Sequence, residues 1–120
     1  MAKYFDRDEF ACQYTGNNEI EDKFIEKLDK LREACGFPFV ITSGYRDKTH
    51  PIEAKKAKPG TGTHAQGIAA DIKVTNGYQR LRIVEKAIAL GFTGVGVARG
   101  FVHVDIRSPD DTTPYVMWTY

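Results

Sequence analysis

The stretch RGFVHVDIR, residues 99–107, decides how the rest of the chain is interpreted. Successive side chains of a β-strand point to opposite faces of its sheet, so this stretch would have one apolar and one polar face. The apolar face is β-branched and belongs against a core: Val102, Val104 and Ile106. The other face is chemically rich: Phe101, His103, Asp105 and Arg107. One possibility is that this face is exposed to solvent and carries a cross-strand salt bridge. The other is that it is buried and its charges are paired with a polar partner, a ligand or a metal.

The composition is typical of a globular domain. The chain has 120 residues, 42% of them hydrophobic, which is enough for one domain with its own core. We therefore expect residues 1–120 to form a single domain. The formal net charge of +1 leaves no basic surplus for binding nucleic acid. No apolar run approaches the roughly 18 residues of a membrane span, so we expect no span.

The N-terminal stretch MAKYFDRDEF, residues 1–10, bears on where the protein works. It has no apolar run of the kind that marks a secretory signal. We therefore expect the chain to be made in the cytoplasm without a signal peptide. Any action outside the cell would then follow release or export.

Two segments have the three- and four-residue spacing of an amphipathic helix. The first is 17–36, with Asn18 as its N-cap and Gly36 at its end. Its apolar stripe is Ile20, Phe24, Leu28, Leu31 and Cys35. The second is 76–91, capped by Asn76. Its predicted buried face is Leu81, Val84 and Ile88.

The other apolar segments predict strands. They are a buried strand at 39–42, a strand at 68–74, two pieces within 93–107 around a turn at 99–100, and a tail at 112–120. The tail is either a last strand or an aromatic segment that closes the core. This order of helices and strands predicts an α+β fold, with helices packed on a mostly antiparallel sheet.

Two connecting segments are polar. Residues 47–60 are rich in lysine and read as a surface excursion with a helical turn at 52–57. Residues 60–67, GTGTHAQG, are rich in glycine and threonine and predict a loop.

Three residues could form a metal site. His64 lies in the loop 60–67, and Asp71 follows seven residues later in a strand whose neighbours are apolar. A buried aspartate is costly unless a cation or several donors meet it. Together with His103 it would offer two nitrogens and a carboxylate oxygen, and catalytic zinc sites use such a set and leave the fourth position to water. The spacing alone leaves both the metal site and an ordinary polar strand face open.

Three segments in order carry a family resemblance: SGYR at 43–46, THAQGIAADI at 63–72 and GVGVARGFVHVDIR at 94–107. They resemble the signature segments of the zinc D-alanyl-D-alanine carboxypeptidase family. That family includes phage and bacterial L-alanyl-D-glutamate endopeptidases, which cut peptidoglycan stem peptides. The resemblance implies that one zinc ion is held by His64, Asp71 and His103.

The resemblance also implies roles beside the metal. Arg46 would contact the substrate or the developing oxyanion, for which a permanently charged guanidinium is suited. The alternative for Arg46 is a salt bridge that secures the turn. Ser43 would join Arg46 among the substrate-binding residues, supporting the loop by hydrogen bonding rather than reacting.

Two positions depart from the family pattern. The residue two before the first zinc histidine is usually serine, and here it is Gly62. Many relatives place a glutamate, the general base, three residues before the last zinc histidine, and here that residue is Gly100. Asp105 is the best local candidate for the base, since it shares a strand face with His103 about 7 Å further along. Its competing role is to hold an imidazole or Arg46 in place.

Four other features stay outside this set. His50 is expected to be a solvated histidine or a helix cap, and a contact with substrate is the third possibility. The lysines of the excursion form a solvated face or attract anionic wall polymers: Lys48, Lys55, Lys56 and Lys58. Cys35 is expected to pack as a small hydrophobe, and a bond between Cys12 and Cys35 stays open.

These observations predict a zinc peptidase acting on peptidoglycan peptides, as a phage-type endolysin or a bacterial wall hydrolase. We expect it to act as a monomer on the cell wall after release. One alternative is a zinc-stabilised domain on the same fold that binds the wall without catalysis, which the glycine at position 100 favours. A metal-free interaction domain is the other. The choice between carboxypeptidase and endopeptidase depends on the groove ends, which the sequence leaves open.

Overall fold

The fold is described for residues 2–58, 60, 62–108 and 115–120 of a computed structural model. The helices are a 3-10 turn Arg7–Phe10, α1 Asp22–Cys35, α2 Pro51–Ala54 and α3 Gly77–Ala89. The strands are β1 Ile41–Ser43, β2 Ala69–Lys73, β3 Gly94–Val97, β4 Phe101–Asp105 and β5 Val116–Thr119.

The five strands form one sheet in the order β1-β2-β4-β3-β5. Every neighbouring pair is antiparallel except β3 and β5, which are parallel. The predicted α+β class with a mostly antiparallel sheet is therefore confirmed. The predicted tail begins at 112–114, which lies outside the described residues, and its later part is β5. No helix in the described part of the chain has the length and apolarity needed to cross a membrane.

Helix α1 packs as predicted but begins later. Phe24, Leu28 and Leu31 of its apolar stripe are fully buried. The predicted N-cap, Asn18, is wrong, because the helix begins after Glu21. Asn18 instead accepts a hydrogen bond from the Ile20 amide, and the Glu21 amide donates to the Gly67 carbonyl at 2.8 Å. These contacts keep the segment before the helix extended.

Helix α3 has the predicted cap and a different buried face. The Asn76 side chain accepts from the Gln79 amide at 2.8 Å, which confirms the cap. The predicted buried face of Leu81, Val84 and Ile88 is wrong, since Leu81 is 68% and Ile88 57% exposed and Val84 is half-buried. Ile83 and Ala87 are buried instead.

One arginine of α3 contacts the turn between β3 and β4. The Arg80 guanidinium donates to the carbonyls of Ala98 and Arg99 in the β3–β4 turn. Two apolar stripes of similar spacing overlap in this helix. The stripe that contains Ile83 and Ala87 is the one buried against the core.

The first strand is shorter and more exposed than predicted. Phe39 is buried, but Val40 is 57% exposed, and the strand starts only at Ile41. The expectation of a buried strand at 39–42 is therefore wrong. The reason is the position of β1 at the edge of the sheet, where its register with β2 is also irregular between Ile41 and Ser43.

The register of the central strands sorts the side chains into two faces. Asp71 of β2 is paired with His103 of β4, and Ala69 is paired with Asp105. Directly paired residues lie on the same face of a sheet. The opposite face is fully buried in the main core and comprises Ala70, Ile72, Val102 and Val104. The alternation predicted from the sequence thus places the polar residues together.

Both cysteines are buried free thiols, so the bond left open by the sequence is not formed. Cys35 belongs to the main core, as predicted, and burial raises the pKa of its thiol to about 11. Cys12 lies outside that core cluster, and its sulfur accepts a hydrogen bond from the Asp47 amide.

Candidate metal centre and active site

Three donor atoms converge at one point of the polar sheet face. Asp71 Oδ1 lies 3.0 Å from His103 Nδ1 and 3.2 Å from His64 Nε2, and the two nitrogens are 3.2 Å apart. All three residues are buried. β2 and β4 supply Asp71 and His103 through their register, and the loop before β2 supplies His64. Two imidazoles and a carboxylate so close together could hold one metal ion.

Each imidazole is held by a partner on its far side. His64 Nδ1 lies 2.7 Å from the Gly44 carbonyl, and His103 Nε2 lies 2.7 Å from Asp105 Oδ2. Each of these nitrogens would carry the proton and donate it, which leaves the lone pair of the other nitrogen directed at Asp71. Metal-binding histidines are fixed in this way, so the residues present fit a metal ion.

The electrostatics of the three donors also suit a cation. Burial would raise the pKa of Asp71, but its close contacts with the imidazoles of His103 and His64 hold the pKa far below its ordinary value. Burial lowers the pKa of His64 despite its contact with Asp71. Asp71 is thus ionised, and His64 favours the neutral form that binds metals.

Asp105 is buried behind His103. It is fully buried, and it accepts from the Arg107 backbone amide at 3.1 Å and from the guanidinium at 3.0 and 2.7 Å. Burial raises its pKa, but the bonds from His103 and Arg107 bring it well below the ordinary value. Among described residues, those lining the groove over the metal donors do not include Asp105. Of its two predicted roles, this geometry favours positioning of His103.

Arg46 and Ser43 lie beside the donors. Arg46 Nε donates to Ser43 Oγ at 3.1 Å, and its Nη2 lies 3.4 Å from Asp71 Oδ2. The Arg46 side chain is only 18% exposed, yet it lines the groove. Arg46 therefore makes a salt bridge and also lines the groove, while its contact with a substrate stays a prediction.

Two glycines of β3 make room on this face. A Cβ at Gly94 would lie 2.3 Å from Asp105 Oδ2, and one at Gly96 would lie 2.7 Å from the Trp118 indole. Any side chain at either position would displace these groups. Sequence analysis did not assign these glycines a role, although their alternation in GVGV was a usable signal.

The groove over the donors has a volume of about 780 Å³. Arg46, His50 and Lys56, which follow β1 in the sequence, line it together with Trp118 and Tyr120 of the β5 segment. Sequence analysis missed the tail residues, for which a last strand or a core-closing segment was expected. Their spacing of two along a strand was the available signal.

The lysine-rich excursion holds a buried carboxylate that sequence analysis also missed. Glu53 is fully buried, and its Oε1 accepts from the amides of Gly60 and Gly62 at 3.1 and 2.9 Å. Its Oε2 lies 2.9 Å from Lys56 Nζ. A Cβ at Gly62 would lie 2.3 Å from that Nζ, so the serine of the family pattern would displace this pair. Nothing in the local sequence marked this glutamate.

The helical turn predicted at 52–57 is α2, which is shorter and begins at Pro51. His50 caps it, which confirms one of the alternatives predicted for this residue. His50 Nδ1 accepts from the Ile52 amide at 3.1 Å. The other ring nitrogen is not engaged by this cap, and the residue lines the groove.

A buried His-Asp-His donor set on the floor of an open groove fits the class of metal-dependent hydrolases. A family model described as Peptidase M15 matches residues 3–105, and the chain belongs to this peptidase family. The match covers the first two signature segments and residues 94–105 of the third, and it confirms the predicted kinship with the zinc D-alanyl-D-alanine carboxypeptidases. No curated protein matches the chain. Arg107 and β5 lie beyond the matched residues.

Proposed function

We propose that this protein is a zinc peptidase that hydrolyses peptide bonds in peptidoglycan stem peptides. The observation that carries the proposal is the convergence of His64 Nε2, Asp71 Oδ1 and His103 Nδ1 within 3.0–3.2 Å on the groove floor. Two imidazoles and one carboxylate are a donor set that suits zinc, and three protein ligands leave a position for substrate or water. Membership of a peptidase family supports the reaction class.

Three residues would bind the zinc ion, and two further groups would hold its histidine ligands in place. His64, Asp71 and His103 would hold the ion, while the Gly44 carbonyl and Asp105 hold the two imidazoles. When bound, zinc supplies Lewis-acid polarisation of the scissile carbonyl and lowers the pKa of water.

Arg46 is the group proposed to contact the substrate directly. Its guanidinium lines the groove beside Asp71, where it would bind a substrate carboxylate or the developing oxyanion. Ser43 accepts from Arg46 Nε and would fix its direction. Asp105 would act through His103, because its carboxylate is fully buried behind that ring.

The setting follows from the family resemblance. We propose that the protein acts as a monomer on the cell wall, after release from the cell that makes it, as a phage-type endolysin or a bacterial hydrolase. Carboxypeptidase and endopeptidase action would be distinguished by their products.

A second candidate is a zinc-stabilised domain that binds wall peptide without cleaving it. One observation favours it: among the described residues that line the groove, Asp71 has the only carboxylate side chain, and the glutamate of many relatives is replaced by Gly100.

The test is digestion of purified peptidoglycan by the zinc-loaded protein, with released products identified by mass spectrometry. Free D-alanine would indicate a carboxypeptidase, and internal fragments an endopeptidase. Asp71→Asn is the matched control, because the amide keeps the shape of the Asp71 side chain and removes the negative charge of this proposed metal ligand. Zinc binding without any released product would overturn the peptidase and support the binding domain.

A further inference from the structure

His64 is the one proposed metal ligand that does not lie on a strand. Asp71 and His103 are paired across β2 and β4, whereas His64 lies in the loop before β2. On its C-terminal side this loop is fixed by its own backbone, since the amides of Arg46 and Gly67 both donate to the His64 carbonyl at 3.2 Å. A donor in a loop that is held on only one side must be ordered further when the metal binds, and this ordering lowers affinity.

Glu53 supplies a contact on the other side of His64. Its Oε1 accepts hydrogen bonds from the amides of Gly60 and Gly62, and Gly62 lies two residues before His64. The Gly62 carbonyl in turn accepts from the Gln66 amide at 3.0 Å, which closes a turn around His64. The Glu53 carboxylate therefore connects α2 to the turn that carries the metal donor.

The Glu53 carboxylate is itself held in place. Glu53 is fully buried, and its Oε2 lies 2.9 Å from Lys56 Nζ. Burying a carboxylate is costly, so the two loop amides and the ammonium are needed together to compensate its charge. A Cβ at Gly62 would lie 2.8 Å from Oε2 and 3.1 Å from Oε1, so the absence of a side chain there lets the loop backbone approach the carboxylate.

We propose that Glu53 is a positioning residue of the metal centre. Its Oε1 holds the turn before His64 in the conformation that directs Nε2 of this histidine toward Asp71 and His103. This inference rests on the metal site of the proposed function. The two carboxylate oxygens have separate roles, because Oε1 holds the turn and Oε2 anchors the side chain through Lys56. The reach of the Glu53 side chain, rather than its charge, then determines zinc affinity.

The first test compares the zinc affinities of the wild type, Glu53→Ala and Asp29→Ala by competition with a chelator. Asp29 is the matched control, because its Oδ1 also accepts from two backbone amides, those of Lys3 and Tyr4 at 3.1 and 2.7 Å, and Asp29 does not line the groove. We expect Glu53→Ala to bind zinc about 10-fold more weakly and Asp29→Ala to match the wild type. Both are measured where circular dichroism shows full folding, so that a general loss of stability does not lower the apparent affinity.

Two conservative variants separate reach from charge, and they keep the test decisive if Glu53→Ala does not fold. Glu53→Gln keeps the length of the side chain and an acceptor for the loop amides, so its zinc affinity should stay within about twofold of the wild type. Glu53→Asp keeps the charge but is one methylene too short to reach both amides, and it should bind zinc about as weakly as Glu53→Ala. Wild-type affinity in Glu53→Asp, or equal losses in Glu53→Asp and Glu53→Gln, would overturn the positioning role.

These affinities are measured without turnover, so the positioning role and the peptidase can fail separately. If the variants follow the expected order but the wild type releases no product from peptidoglycan, the positioning role is supported and the peptidase is overturned. If the wild type releases product and every Glu53 variant binds zinc as tightly, the positioning role is overturned and the peptidase is supported. A folded wild type that binds no zinc would overturn both.

Discussion

His103 and Asp105 lie two residues apart on β4, and Nε2 of the imidazole is 2.7 Å from Oδ2 of the carboxylate. This contact uses the ring nitrogen that faces away from Asp71. It leaves Nδ1 for the metal and ties the ring to a carboxylate that Arg107 also holds. The short spacing His-x-Asp thus combines a donor with the group that orients it.

The first prediction concerns Asp105→Asn. The amide keeps the shape of the carboxylate but is a weaker acceptor for the imidazole N–H. Loss of such a partner lowers metal affinity by about 10- to 100-fold. We expect this loss in zinc titrations against a competing chelator. Activity should return in part when excess zinc refills the site. A variant with wild-type zinc affinity and no turnover would instead indicate that Asp105 is the general base.

The second prediction concerns space beside Asp105. Gly94→Ala would place a Cβ 2.3 Å from the carboxylate, and we expect a loss of about 1–3 kcal/mol in unfolding free energy. Gly100→Ala is the control, because a Cβ there meets nothing within 4 Å. Urea denaturation of both variants measures the difference. Equal stability of the two would show that the strand face is not closely packed at Gly94.

The third prediction concerns Glu53 and pH. Burial raises the pKa of Glu53, but the amides of Gly62 and Gly60 and the ammonium of Lys56 lower it below the ordinary 4.5. The unfolded chain therefore binds more protons at this residue in acid. Its contribution to stability is complete above about pH 4.5 and is lost as the pH falls through the lower, folded pKa.

Glu53→Gln isolates that contribution. The amide oxygen can still accept from the two backbone amides, but the ion pair with Lys56 is lost. We expect the variant to be about 1–2 kcal/mol less stable at pH 7. That gap should shrink toward pH 3. Urea denaturation of the metal-free proteins measures it, and a gap that stays constant with pH would contradict the assignment.

The fourth prediction concerns metal removal. An ion that binds only the folded chain stabilises it by about 2.7 kcal/mol when free metal is 100-fold above Kd. We expect chelation to lower the melting temperature of the wild type and of His50→Ala alike. His64→Ala should melt at one temperature with or without zinc. A zinc-dependent shift in His64→Ala would remove this histidine from the donor set.

Much of the site could be predicted from alternation along strands. The face shared by His103 and Asp105 follows from the period of two, and the pairing with Asp71 follows once the strands adjoin. The apolar stripe of α1 was equally clear. In α3 the sequence predicted that Leu81 is buried, whereas the structure buries Ile83 and Ala87. The two apolar stripes have similar spacing, so periodicity alone does not distinguish them.

The groups that the sequence did not reveal depend on tertiary contacts. Glu53 resembles any other charge in a lysine-rich excursion, and what distinguishes it is its contacts with the amides of Gly60 and Gly62 and with Lys56. Trp118 resembles a core residue until its parallel pairing with β3 places it opposite Gly96. A pattern along the chain does not encode such pairings.

X-ray absorption at the zinc edge of the purified, zinc-loaded protein tests the central claim most directly. The account predicts one zinc per chain, with two imidazole nitrogens at about 2.0–2.1 Å and oxygen ligands at about 2.0–2.2 Å. In His64→Ala the imidazole contribution to the spectrum should fall from two nitrogen ligands to one. A sulfur ligand near 2.3 Å, or a spectrum unchanged in that variant, would contradict a site formed by His64, Asp71 and His103.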